Sequence, residues 1–325
     1  MYKRQCLVYV FVEEALQLRE AGVTKPILVF STMTHNKEAI IRAIQQNITF
    51  TIYNEESYEQ LEHIAEQTQQ PALIHINVDT GMTRLGFNQD EHKKYINKIC
   101  HSPNIKIQGI YSHFSSADNE FRYTNLQCKR FEEAVQATQE VYEGLEYQHI
   151  LNTPGAMLGF QVGNIARIGL GIYGLIPSEL SLEQAQKIKN TFRLKSALEW
   201  KTKIIQVREV AEETSVGYGR SYITAHNETL AILPVGYADG YSRALSNCGE
   251  VLVNGIRCKV RGRICMNNTI VDVSHIPNIQ EQSEVILIGK SKTDVISVAE
   301  IAEKINTVPA EVITAIDTST PRVYV

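Results

Sequence analysis

No apolar stretch of the 325-residue chain approaches the roughly 18 residues needed to cross a bilayer as a helix. A large excess of either charge is lacking too: the net charge is −4 with no basic stripe, so neither nucleic acid nor an anionic membrane has an electrostatic footprint here. The six cysteines, Cys6, Cys100, Cys128, Cys248, Cys258 and Cys265, form no CxxC pair. That excludes zinc-ribbon spacing and a small disulfide framework, and it fits reduced thiols in a cytoplasmic protein. Solenoid repeats and low-complexity tracts are likewise missing, and no GxGxxG turn follows any of the strands expected below. Lys3 and Arg4 ahead of the apolar run Cys6–Val12 imitate a secretory signal, but no small-x-small cleavage site follows, and Glu13 and Glu14 come next. What remains is a chain with 43% hydrophobic residues, enough for one large domain or two, acting on a small molecule.

Up to about residue 178, short aliphatic or β-branched runs alternate with patterns of period near 3.6. Strands are expected at Cys6–Phe11, Pro26–Phe30, Ile48–Tyr53, Leu73–Val78, Ile105–Phe114, His149–Asn152 and within Ala166–Leu175. Helices are expected at Val12–Ala21, Asn36–Gln45, Glu55–Gln69, Asp90–His101 and Tyr123–Glu143. Repeated strand–helix–strand order means a parallel sheet with right-handed crossovers. From about Phe192 the pattern becomes mostly β: Ser196–Val210, Thr229–Val235, Glu250–Val260, Thr269–Val273 and Glu284–Ile288, with one helix, Val298–Ile305, capped by Ser297. The polar stretch Pro177–Asn190 reads as the junction, giving domains 1–185 and 186–325. Seven parallel units are counted where a closed (β/α)8 barrel takes eight, so one unit is expected to be missing. An open doubly wound sheet would tolerate seven.

In a parallel barrel, reactive groups gather where strands end. Those positions hold Asn77 and Asp79-Thr-Gly-Met-Thr-Arg84, then His113, then Asn152 and Thr153 before Pro154-Gly155, then Arg167 and Gly169-Leu170. In the β domain, Tyr218 lies between glycines in SVGYGRSY, and Tyr237, Asp239, Arg263 and Met266 occupy the compact loops of PVGYADGYSR and VRGRICMNN.

The segments INVDTGMTRLGF, GIYSHFSSAD, NTPGAM, ARIGLGIYGL, SVGYGRSY, LPVGYADGYSR and GRICMNN, in this order, resemble alanine racemase. That family's enzymes use pyridoxal 5'-phosphate (PLP) and consist of a TIM barrel followed by a C-terminal β domain. The resemblance covers nearly the whole chain after the first five residues. It implies interconversion of L- and D-alanine by two bases, supplying D-alanine for peptidoglycan, in a homodimer whose active sites are shared. By position, Tyr218 matches the tyrosine base on the L-side of the substrate. Arg84 matches the arginine that orients this tyrosine region and the substrate carboxylate, and His113 the histidine against the pyridine ring. Arg167 matches the arginine at the ring nitrogen. Asn152, Thr153, Gly169 and Leu170 fall on the cofactor side, where Thr153, Gly169 and Leu170 match phosphate-holding positions; Met266, Tyr237 and Thr318 fall on the substrate side. The chemistry agrees: guanidinium keeps its proton near neutral pH and so leaves the pyridine unprotonated, whereas a phenol titrating near about 10 needs cationic or hydrogen-bonding neighbours to act as a base.

The family's second base is the lysine that forms the Schiff base with PLP, in a K-x-N-A-Y-G-H-G-like segment after the first strand. None of the seventeen lysines lies in such a segment. The first βα unit is therefore expected to be absent, with MYKRQ as an unrelated leader and PLP held noncovalently. Three departures bear on the substrate. Asn77 stands where many members carry a carbamylated lysine, leaving Arg84 to be set by a neutral amide or a bound anion. Asn267 replaces an aspartate, and Thr318 replaces a pocket tyrosine, which would admit serine as in the related serine racemases. Two rival readings remain. One is a PLP amino-acid decarboxylase, which would need a glycine-rich phosphate loop and a cysteine-and-aspartate site not found here; the other is a non-catalytic remnant that only binds PLP.

Overall fold

The computed structural model describes residues 6–30, 36–177, 179–292 and 294–325. MYKRQ, with Lys3 and Arg4, lies outside them. The chain divides into two compact units, Met1–Ile168 and Gly169–Val325.

The first unit alternates strands and helices: β1 Leu7–Tyr9, α1 Val12–Glu20, β2 Ile27–Val29, α2 Lys37–Gln45, β3 Thr49–Ile52, α3 Glu55–Thr68, β4 Ala72–Asn77, α4 Gln89–Cys100, β5 Ile105–Tyr111, α5 Phe121–Gln139, β6 Tyr147–His149 and α6 Thr153–Leu158. The strands form one parallel sheet in the order β1-β2-β3-β4-β5-β6. Each helix turns an apolar stripe toward it, as α2 does with Ala39, Ile40, Ala43 and Ile44. Side chains buried on both faces explain the near-continuous aliphatic runs of β2 to β5. Polar side chains of the strands, Thr49, Thr51, His75 and His149, are also buried.

Two expectations need correction. Six strands, not seven, make up the sheet among the described residues. The run Ala166–Leu175 contributes an isolated parallel bridge, Leu151 to Ala166, and then a 3-10 turn at Leu170–Tyr173. Gly169, Gly171 and Gly174 make that run a poor strand, and Gly174 adopts φ +75°. The stretch read as a junction contains a helix, Leu182–Phe192. Its only buried residue is Ile188, so its polar composition conceals it, although Ser181 and Gln184 form a capping box.

The second unit is mostly antiparallel. One sheet orders Thr269–Asp272, Glu228–Leu233 and Gln206–Val210; another builds on Ile256–Lys259, Glu250–Val253, Glu284–Ser291 and Asp294–Ile296, with Trp200–Lys203 beside Glu284–Ser291. The expected strands Ser196–Val210 and Glu250–Val260 each break in two; the second becomes a hairpin turning at Asn254 and Gly255, both with positive φ. The helix expected after Ser297 is present at Val298–Lys304, with the serine side chain accepting from the Glu300 amide. A further helix, Pro309–Thr314, was not anticipated. Among the described residues no helix is long and apolar enough to cross a membrane.

Candidate active site

The carboxyl ends of β4, β5 and β6 build the site of the first unit. After β4, the Asp79 carboxylate accepts from the amides of Gly81, Met82 and Thr83 at 2.8, 2.9 and 3.0 Å. The Tyr123 hydroxyl and Arg130 grip the carbonyls of Gly81 and Thr80 at 3.0 Å each. Gly86, at φ +122°, is required because a Cβ there would stand 2.7 Å from the Asp79 nitrogen. This rigid loop presents Arg84 exposed. Among the described residues no hydrogen bond joins Asn77 to Arg84. The anchors are Asp79 and the Asn77 backbone carbonyl, which receives the Phe87 amide at 2.9 Å.

Arg167 is the hub. Its Nη1 donates to His149 Nδ1 at 2.7 Å and to the His149 carbonyl at 2.9 Å. Its Nη2 donates to the Ser112 carbonyl at 2.7 Å and meets His113 Nδ1 at 3.1 Å. The guanidinium lies over the rings of Tyr111 and Phe30, 5.4 and 5.9 Å from their centres. Its Nε is buried and has no partner among the described residues. A second contact carries the network inward: His149 Nε2 and His75 Nδ1 are 2.8 Å apart, and Tyr111 stacks on His149 at an interplanar angle of 3°. Gly109 makes room for His75, since a Cβ there would come within 2.9 Å of the imidazole.

Burial, reinforced by the Arg167 charge, lowers His75 to about 3. Burial together with Arg167 and Arg84 does the same to His113. His149 falls well below its usual value for want of solvent and because of Arg167 and His75. All three imidazoles are neutral near pH 7. Burial also brings Arg167 down to about 10, against the pull of Tyr111, so it remains charged there.

After β6, Asn152 caps α6 by accepting from the Gly155 amide at 3.1 Å, while its own amide reaches the Phe114 carbonyl at 3.4 Å. Thr153 is the buried first residue of that helix. Arg84, His113, Asn152 and Thr153 thus follow strand ends at one rim, Arg167 joins them there through Ser112, His113 and His149, and the Arg84 charge is felt at both His113 and Arg167. His75, His149 and Tyr111 escaped the sequence reading. Their signal was the period-2 alternation of ALIHIN and the polar residue inside the YQHI run, which place them on the buried face.

The other expected residues belong to the second unit. The Gly169 carbonyl accepts from Ile172, and Leu170 opens the 3-10 turn. Tyr218 is 69% exposed in a loop where Gly217, Gly219 and Arg220 all adopt positive φ. Tyr237 donates its amide to the Cys265 carbonyl at 3.1 Å, and Ala238 to the Met266 carbonyl at 3.0 Å. The Asp317 amide reaches the Asp239 carbonyl, which brings Thr318 to the same loop cluster.

This constellation has relatives. The alanine racemase N-terminal domain family matches residues 2–177, and the alanine racemase C-terminal domain family matches residues 197–324. Because the first match begins at residue 2, the expected loss of an opening βα unit finds no support there. An alanine racemase from Methanococcus maripaludis is 37% identical over 314 residues, 96% of this chain and 82% of that one. One from Halothermothrix orenii is 35% identical over 98% of this chain and 83% of its own length. The crystal structure of alanine racemase from E. faecalis superposes with a TM-score of 0.86 at 31% identity, covering 98% of this chain and 83% of that one. The alanine racemase of Clostridium difficile 630 superposes at 0.89, with 30% identity, 99% of this chain and 82% of that one. Every relative cited here is an alanine racemase, which gives the serine, decarboxylase and remnant readings no support. Two family domains, matched in order over nearly the whole length and housing this arginine-centred rim, establish that the chain belongs to the alanine racemase family.

Proposed function

We propose that this chain interconverts L- and D-alanine with PLP as cofactor. The observation that carries the reading is the buried Arg167 Nε, a charged donor left without a partner while both Nη atoms are engaged. A buried donor of this kind calls for an acceptor. A pyridine nitrogen is one that needs no proton of its own, and an alanine racemase from Bartonella henselae carries covalently bound pyridoxal phosphate.

In this reading Arg167 donates to the ring nitrogen and keeps its proton, and neutral His113 packs beside the ring. Thr153 and the amides following it, with Gly169 and Leu170, hold the phosphate. Arg84 receives the substrate carboxylate. When bound, PLP supplies an electron sink for the pair released at the α-carbon. Tyr218 takes that proton from L-alanine or returns it. Exposed Tyr218, Tyr237 and Met266 on the second unit support a site completed between two copies of the chain, with Thr318 near the substrate. All six cysteines are free thiols, which supports a cytoplasmic setting.

The covalent lysine, which the resemblance also makes the D-side base, is, we further propose, not among this chain's seventeen, so the D-side proton is exchanged with water instead. Of the described first-unit lysines, Lys37, Lys93, Lys94, Lys98 and Lys129 lie within helices, Lys106 lies in β5, and Lys25 precedes β2. Borohydride reduction in the presence of PLP should leave no pyridoxyl-lysine in a peptide map, and finding one refutes this point alone. The activity itself is tested by D-alanine formation and by exchange of the L-alanine α-proton in D2O. Both should require PLP and fall to a small but measurable residual rate in Y218F; exchange that persists undiminished in Y218F removes the proposed role of that tyrosine.

A further inference from the structure

Tyr218 needs a fixed position, yet it sits at the tip of an exposed loop with three left-handed residues. The loop closes through a two-residue ladder that pairs Ser215–Val216 with Tyr222–Ile223. On one side Asn247 bridges it, donating to the Ser221 carbonyl at 3.2 Å while accepting from the Gly262 amide at 2.6 Å. The other side ends in an unusual contact. The Tyr222 hydroxyl donates to Glu228 Oε1 at 2.5 Å, and Glu228 is only 2% exposed. Its second oxygen, Oε2, is buried and has no partner among the described residues. Across the Tyr222 ring stands the Arg261 guanidinium, 4.5 Å from the ring centre and itself held by Asp272 at 2.8 Å.

A buried side-chain oxygen served by one phenol is a costly arrangement for packing alone, because loss of that donor strands a polar group away from water. The same cost makes the contact stiff, since the loop cannot lift away without uncovering the penalty. Burial, then the hydrogen bond to Glu228, pushes the Tyr222 phenol up to about 12, so it remains a donor throughout the neutral range.

We propose that Tyr222 and Glu228 are positioning residues, a latch that holds the Tyr218 loop in its reactive place. The inference rests on the reading of Tyr218 as the proton-transferring residue. The effect should not depend on cofactor, so amide hydrogen exchange of the full chain without PLP is the first readout. Y222F keeps the ring and its cation contact but removes the donor; exchange at residues 217–221 should quicken about tenfold while that of Glu228–Leu233 stays unchanged. E228Q keeps an acceptor and should remain near the wild-type rate. Unchanged exchange at the loop in Y222F, or an equal rise across the whole unit, overturns the latch.

The second readout is α-proton exchange of L-alanine with PLP bound. Y222F should lower the maximal rate about tenfold with little change in KM, and in a Y218F background it should cost nothing further. An equal loss in both backgrounds overturns the positioning role. Full exchange in Y218F alone would instead refute the reading of Tyr218, with the amide data still deciding the latch.

Discussion

Arg167 Nη1 donates to His149 Nδ1 at 2.7 Å, and because guanidinium has no acceptor, this contact fixes which nitrogen of the imidazole carries the proton. His149 is therefore protonated at Nε2 and donates to His75 Nδ1 at 2.8 Å, while His113 accepts from Arg167 through Nδ1. Long-range 1H–15N spectra should show Nε2–H tautomers for all three rings, and an Nδ1–H signal from His149 would contradict the arrangement.

No carboxylate partners the Arg167 head among the described residues; its neighbours are imidazoles, backbone carbonyls and aromatic faces. A buried cation without an anion adds little stability. R167Q should thus unfold within about 1 kcal/mol of wild type, whereas PLP affinity, measured by absorbance titration, should weaken at least about tenfold through loss of the Nε donor.

Acid should destabilise the first unit in a defined window. His75 and His113 are held at about 3, and His92, depressed chiefly by burial and then by Lys93, at about 4. Unfolded histidines titrate near about 6.5, so between these values the unfolded chain binds more protons and the native state loses stability as pH falls. The full contribution is present above about 6.5, and each group should remove about 1.4 kcal/mol per pH unit below it. Urea midpoints from pH 7 to 4.5 measure this, and H92Q should flatten the slope by one histidine's share.

A Cβ at Gly236 would stand 2.3 Å from the carbonyl oxygens of both Cys265 and Met266, which receive the amides of Tyr237 and Ala238. Neither oxygen can move without breaking its hydrogen bond. G236A should cost about 3 kcal/mol in chemical denaturation, far beyond a helix or strand propensity effect.

If two copies share their sites, R84A and Y218F chains damage opposite halves of each site. Co-expressed in equal amounts, they should recover about a quarter of wild-type exchange activity, because half of the dimers would contain one intact site. Recovery of nothing would place Arg84 and Tyr218 of a single copy in the same site.

The chain's own pattern disclosed the alternation of the first unit, α1 to α5 to within a few residues, and the strand-end positions of Arg84, His113, Asn152 and Thr153. Those features follow from local periodicity and from the rule that strand ends in a parallel sheet share a rim. The helix Leu182–Phe192 stayed hidden because it buries a single side chain, Ile188, and so carries almost no amphipathic signal. The run at Ala166–Leu175 misled because apolar content alone does not overcome three glycines.

Only the tertiary structure decided that His75, separated by 74 residues from His149, joins Arg167 in one buried network. Likewise, only the folded chain sets Glu228 against the Tyr222 hydroxyl with no second donor to its carboxyl among the described residues. Sequence determines which local backbone each segment prefers. Which polar groups end up facing one another away from water depends on register and burial across the whole sheet, and those set both the protonation states and the cost of disturbing them.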